Sequence, residues 1–306
     1  MELNPEIGIK GLGKMKKLRF LSLVLTLSPF SEFNIVNQDF PNALQYLQVE
    51  NYPFRSLPKT FQANNLVALE MTYSHIVQLW EKGERKVLNK MRFLDLSFSK
   101  LSTFDLGLTP NLETLTLKQC SDLVELHMPI RCLHLIYINL IHSNLRTLDL
   151  GLAPNLKTVI LAECCNLVEL HMPDRCLNLR SLLLSDSKLN TLNIGLTPNL
   201  ESLDLKNCFY LEDFHMAGEC LKLTKLDINH SKLRTLDLVM IPNLENLDLD
   251  SCYFLEELHM ADECEKLTNI EISYSNLRIL NLGLTPNLKT LHLKECSNLV
   301  ELHTTI

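Results

Sequence analysis

Apolar side chains recur along most of the chain in one fixed phrase. In LETLTLK, Leu112 to Lys118, Leu115 and Leu117 alternate with Thr114, Thr116 and Lys118. Side chains of a strand point to opposite faces in turn, so this spacing predicts a short strand with its leucines inward and its polar residues outward. A small residue follows at Cys120, then two more apolar positions. From Met91 the phrase returns at alternating steps of 21 and 23 residues, through Leu112, Leu135 and Leu156 to Leu288. Ten such regular units and three looser ones, at Leu18, Leu44 and Leu66, make 13.

The larger period is 44 residues. It is marked by Pro110, Pro154, Pro198, Pro242 and Pro286, by Ser99, Ser143, Ser187, Ser231 and Ser275, and by Cys120, Cys164, Cys208, Cys252 and Cys296. Each 44-residue block holds two units, and L-x-x-L-x-L-x-x-(C/S) is the leucine-rich-repeat pattern. One unit cannot bury its own leucines, whereas stacked units share a continuous core. The predicted fold is therefore an α/β-type leucine-rich-repeat solenoid. It is a curved horseshoe with a parallel β-sheet on its concave face and irregular turns or short helices on its convex face. At about 4.8 Å per strand the sheet would run about 60 Å. We expect a lead-in segment over 1–17, irregular repeats over 18–90, and regular double repeats over 91–306 with an open C-terminal end. The chain starts inside the array and ends in mid-unit after ELH, without the polar caps that solenoid ends need. That leads us to expect a fragment, a truncated product, or a chain that docks end-on to a partner.

Composition narrows the function. Thirty-six acidic against 29 basic residues is not the clustered basic face that nucleic acid requires, so no nucleic-acid partner is expected. The start has no signal-like apolar region. The longest apolar run, FLSLVLTL at Phe20 to Leu27, is far short of the roughly 20 residues of a spanning helix, so no membrane insertion is expected. Ten cysteines in 306 residues is below disulfide-scaffold density, and an intracellular chain with reduced thiols is expected.

The cysteines and histidines raise the possibility of metal chemistry. CSDLVELHMPIRC, Cys120 to Cys132, has the form C-x6-H-x4-C and returns every 44 residues. The repeat frame separates these residues. Cys120 and its copies follow a strand and turn inward as small apolar groups. Cys132, Cys176, Cys220 and Cys264 lie inward on the far side of the coil. His127, His171, His215, His259 and His303 point outward as a ladder, one every second unit, about 10 Å apart. Zinc needs four converging ligands, so no metal is assigned, and Cys165 has no role in this scheme. GIKGLGKM, Gly8 to Met15, lacks the hydroxyl residue that closes a phosphate loop. No H-E-x-x-H, G-x-S-x-G or paired-carboxylate signature occurs. We assign no catalytic residue, no cofactor and no enzymatic activity.

Outward strand positions are free to vary, and there a binding face can be written. The candidates for a protein-binding concave face are the aromatics Phe93, Phe98, Tyr137 and Tyr274. With them we count Lys225, Asp227, Asp248, Asp250, Glu271 and Lys294. Aromatic residues beside charges suit protein recognition.

One stretch carries a closer likeness. YPFRSLP at Tyr52 to Pro58, F-x-A-x-x-L-V-x-L at Phe61 to Leu69 and S-x-I-x-x-L-W at Ser74 to Trp80 resemble the first repeats of plant intracellular disease-resistance receptors. These join a Toll/interleukin-1-receptor domain, a nucleotide-binding domain and leucine-rich repeats. The L-x-L-x-x-C-x-x-L-x-E-L units downstream resemble that family too. The resemblance implies a non-catalytic recognition or autoinhibitory arm in defence signalling, located in the cytoplasm or nucleus. Its partner would be a pathogen effector, a guarded host protein or the receptor's own nucleotide-binding domain. The family's signalling and nucleotide-binding residues are absent from this chain. Two other readings of the same repeats are a truncated or decayed paralogue and the substrate-recognition arm of a ubiquitin ligase.

Overall fold

The computed structural model describes residues 2–3, 12–25, 40–81, 83–261, 264–283 and 285–304. Residues 8–11 of the GIKGLGKM stretch, 26–27 of the apolar run and 305–306 lie outside them. The chain forms two compact units, Met1–Leu145 and Arg146–Ile306.

In the first unit, strands Phe20–Leu25, Tyr46–Glu50, Ala68–Glu70, Phe93–Asp95, Thr114–Thr116 and Tyr137–Asn139 lie side by side in sequence order, all parallel, with Glu2–Leu3 beside the first. The register is one residue per coil: Tyr46, Ala68, Phe93, Thr114 and Tyr137 form one outward row. The second unit repeats this arrangement in Thr158–Ile160, Ser181–Leu183, Ser202–Asp204, Lys225–Asp227, Asn246–Asp248, Asn269–Glu271 and Thr290–His292. We call this the front sheet of each unit. As the alternation predicts, the middle residue of nearly every front strand is buried, among them Leu94, Leu115, Ile138, Leu182, Leu226 and Ile270. Full burial of such a side chain stabilises by about 1.5–3 kcal/mol, and the next coil completes it.

Two features refine the expected solenoid. Among the described residues there is no α-helix, only the single-turn 3-10 segments Leu12–Lys14 and Leu106–Leu108. Of the two forms expected for the back face, irregular turns or short helices, the described residues take the irregular turns. The coil also carries a second short strand. Thr103–Asp105 pairs with Glu125–His127 in the first unit. In the second unit Thr147–Asp149 pairs with Glu169–His171, Thr191–Asn193 with Asp213–His215, Thr235–Asp237 with Glu257–His259, and Ile279–Asn281 with Glu301–His303. We call this the second wall.

One device shapes the corners of both walls. The third residue of many strands is Asp or Asn, and its side-chain oxygen accepts the amide two residues on. Asp95 takes Ser97 N at 2.8 Å, Asp204 takes Lys206 N at 3.0 Å and Asp248 takes Asp250 N at 3.0 Å. On the second wall Asp105, Asp149, Asn193, Asp237 and Asn281 do the same. These are Asx turns, in which a short side chain replaces a backbone acceptor and bends the chain. On the front side the next corner residue is left-handed in each described coil from Asn51 onward, although none is glycine. Phe98, Gln119, His142, Glu163, Asp186, Asn207, His230, Ser251, Tyr274 and Glu295 have φ of 57–62°. Amides of this corner continue the ladder into the next coil, among them Phe98 N to Lys118 O at 2.8 Å and Tyr274 N to Lys294 O at 2.7 Å. A left-handed non-glycine residue costs roughly 1–2 kcal/mol, offset here by that bond.

The motifs that carry the family likeness are packing residues. Tyr52, Leu57, Phe61, Ala63, Leu66, Leu69, Ile76, Leu79 and Trp80 are all buried in the first unit. The Trp80 indole N–H donates to Lys86 O at 3.0 Å, and the Lys86 ammonium lies 4.9 Å from the ring centroid.

Candidate protein-interaction face

The Cys and His positions resolve as two ladders on separate walls. Cys120, Cys164, Cys208 and Cys252 are buried after their front strands, with Cys296 half-buried. Each alternates with a serine from the neighbouring coil: Ser99 to Cys120 at 3.4 Å, Ser187 to Cys208 at 3.3 Å, Ser231 to Cys252 at 3.4 Å and Ser275 to Cys296 at 3.4 Å. The same thiols reach back to carbonyls of the preceding coil, at Leu96, Leu184, Ile228 and Ile272. Cys132, Cys176, Cys220 and Cys264 are also buried, as expected. Burial pushes the Cys132, Cys176 and Cys208 thiols up to about 11 and raises those of Cys120, Cys220, Cys252 and Cys264. A thiol held protonated is a poor metal ligand. Among the described residues no group of three or more His, Cys, Asp and Glu is placed to hold a metal ion.

The histidines are exposed on the second wall, as their register predicts. Each stands opposite an Asx-turn residue of the paired strand: Asp105 faces His127, Asp149 faces His171, and Asp237 faces His259. The His127 and His303 rings also lie 3.0 and 2.9 Å from the carboxylates of Glu125 and Glu301 in their own strands. These are exposed surface contacts, which carry little net energy even between charged groups.

The ten candidates of the front face divide between the units. In the first unit Phe93 and Tyr137 share the outward row at the first strand position, with Thr114 between them. Phe98 is not a strand residue. It occupies the left-handed corner, where its ring stacks on Tyr73 at 4.3 Å and 13°. Phe20 and Tyr46 form a second stacked pair in the outward row, at 4.3 Å and 6°, and the Tyr46 hydroxyl donates to Glu70 at 3.0 Å. Sequence reading missed both Tyr73 and this second pair.

In the second unit Asp227, Asp248 and Glu271 come together. They occupy the third strand position of consecutive coils, in register with one another, and Asp204 extends the row. Burial first, then the Asp248 charge, raises the Asp227 carboxyl above its ordinary value. Lys225 lies on the same strand as Asp227, one outward row away. Asp250, Glu271, Tyr274 and Lys294 line one hollow of about 600 Å³ together with His292, which sequence reading missed. There the Ser273 hydroxyl donates to Glu271 at 2.6 Å, and His292 Nδ1 pairs with the other carboxylate oxygen. Burial raises the Glu271 carboxyl, but the bonds from Ser273 and His292 outweigh it and hold it below the usual range. The Lys294 ammonium lies 5.4 Å from the Tyr274 ring centroid. Tyr274, like Phe98, is a left-handed corner residue.

No family model matches the chain. The TMV resistance protein N of Nicotiana glutinosa is 40% identical over 94 residues, which is 30% of this chain and 8% of that protein. The disease resistance protein RPP2A of Arabidopsis thaliana is 35% identical over 136 residues, 43% of this chain and 10% of that protein. Over these segments the leucine-rich repeats of this chain are similar to those of plant disease resistance proteins. The matched segments span a tenth or less of the length of these two relatives. Among solved structures, YopM from Yersinia enterocolitica WA-314 superposes with a TM-score of 0.65 at 20% identity, covering 94% of this chain and 60% of that one. That likeness carries the fold alone. Leucine-rich-repeat solenoids are interaction scaffolds, whose extended faces bind other macromolecules. No helix among the described residues is long and apolar enough to cross a membrane.

Proposed function

We propose that this chain is the protein-binding repeat region of a plant disease-resistance receptor, its recognition or autoinhibitory arm. The kinship of its repeats with disease resistance proteins supports the setting, and the varied, partly exposed outward rows of the front sheets support the mode. Buried thiols hold the coils together, while the outward rows change from coil to coil in charge and size. The partner is a pathogen effector, a guarded host protein or the receptor's own nucleotide-binding domain, met in the cytoplasm or nucleus. No step of chemistry is assigned to the chain.

The test is affinity capture from leaf tissue expressing the 306-residue chain, beside a variant with outward residues exchanged: Phe93→Ser, Tyr137→Ser, Asp227→Asn and Asp248→Asn. A specific protein retained by the wild type and lost by the variant is the expected result. Retention of the same proteins by both chains, or of none, overturns the reading.

A further inference from the structure

The two residues after each ladder cysteine break the near-identity of the 44-residue blocks. They are Ser121-Asp122, Cys165-Asn166, Phe209-Tyr210, Tyr253-Phe254 and Ser297-Asn298. Three blocks place small or polar residues there, and two consecutive blocks place four aromatics. The core does not ask for them. Cys208, Leu211, Cys252 and Leu255 fill the interior on either side, while the four aromatic side chains are 46–59% exposed.

These rings continue into the front corner of the second unit. Phe209 lies 5.6 Å from the His230 ring and Tyr253 lies 6.3 Å from Tyr274. Lys232 stands 5.3 Å over Tyr210, as Lys294 does over Tyr274. The acid row of Asp204, Asp227, Asp248 and Glu271 runs along the same coils, and Glu271 and Tyr274 line one hollow. Corner geometry does not require those charges, because Asn139 makes the same turn without one, accepting Ile141 N at 3.1 Å. Like charges directly opposite on adjacent strands destabilise a sheet. Lys206 and Lys225 border the row, yet the Asp227 carboxyl is still raised, by burial first and then by Asp248 and Asp204. The row is thus a line of negative charge beside an exposed aromatic edge.

We propose that the second unit docks an extended protein segment whose arginine or lysine side chains lie along the acid row while its apolar residues cover the Phe209–Tyr253 edge. This rests on the protein-binding reading and names the chemistry of the partner. Arginine suits both surfaces, since its guanidinium pairs with carboxylates through two parallel bonds and stacks on aromatic faces. Four rungs at about 4.8 Å span about 14 Å, the length of about four extended residues.

The probes are two fluorescent ten-residue peptides, alternating arginine–proline and alternating glutamate–proline, titrated into the whole chain and followed by anisotropy. Two variants accompany it: Asp227→Asn with Asp248→Asn, which retain the turn acceptors, and Phe209→Ser with Tyr253→Ser, the residue of sister blocks. Circular dichroism melts check that both variants fold. The arginine peptide is expected to bind the wild type, to weaken about tenfold in each variant, and to weaken further with salt. Equal binding to wild type and variants, equal binding of the glutamate peptide, or no binding of either overturns this proposal. A leaf protein captured equally well by the Phe209→Ser, Tyr253→Ser chain also overturns it, but leaves the protein-binding reading in place.

Discussion

The Cys120 thiol lies 3.2 Å from the carbonyl oxygen of Leu96, 24 residues earlier in the chain. That contact and its copies let a small, weakly polar side chain close each coil without leaving a carbonyl unsatisfied. Protection of the buried thiols follows from it. In native protein at pH 8 a thiol reagent should modify exposed Cys165 first and half-buried Cys296 more slowly. The eight buried thiols should react only on unfolding. Burial raises the folded-state pKa of Cys132, Cys176 and Cys208 from 9.0 to about 11. Their contribution to stability is therefore complete below pH 9 and is lost as pH rises through about 11. Melting temperature should drop across that window. Rapid modification of all ten cysteines in folded protein would contradict the buried ladders.

Asp227 serves the turn with one oxygen and repels its neighbours with its charge, and substitution separates the two effects. Asp227→Ala removes the acceptor for Asn229 N and should cost about 1 kcal/mol. Asp227→Asn retains the acceptor and removes the repulsion, so it should be neutral or stabilising by a few tenths of a kcal/mol. The folded carboxyl is raised above 3.8, so the stability it permits is complete below that pH and declines as pH rises through the raised value. The advantage of Asn should be present at pH 7 and absent at pH 3, as read from urea melts at both.

Gln119 adopts φ of 58° in the corner ladder. Gln119→Gly relieves the left-handed strain but adds freedom to the unfolded chain, so the expected change is a gain of at most about 1 kcal/mol. A loss of 2 kcal/mol or more in chemical denaturation would show that the Gln119 side chain, not the backbone, holds that corner.

Gly195 and Gly83 are both left-handed, yet only one is hemmed in. A Cβ on Gly195 would meet Asp174 O at 2.6 Å and Pro173 O at 2.9 Å, whereas one on Gly83 meets nothing within 4 Å. Gly195→Ala should therefore destabilise by more than 2 kcal/mol, and Gly83→Ala by about 1. Equal losses in paired thermal melts would remove the steric argument.

Repetition made the front strands legible. The phase of Leu115 and Leu117, the burial of Cys120 and Cys132 and the exposure of His127 all follow from a period shared by every block. The second wall was not legible, because VELH carries one inward leucine between polar residues and reads equally well as a turn. The left-handed corner was hidden for a different reason. Its residues range from Phe98 to Asp186, and only the backbone unites them. Position in the corner also explains why Phe98 and Tyr274 are not strand residues. For the candidate face, Asp227 and Asp248 could be picked out individually, but the register that aligns them with Asp204 and Glu271 is a property of the folded ladder. The aromatic pairs after Cys208 and Cys252 stand in the sequence as departures from the CSDL of the first block, a difference that the shared period masks.

Trp80, the chain's one tryptophan, sits in the first unit under the ammonium of Lys86. Its emission therefore reports the unfolding of that unit and is silent on the other. Far-ultraviolet ellipticity counts strands in both. Recorded on one sample, the two signals form a built-in pair of gauges, and the interval between their midpoints measures how far the melting of one half governs the other.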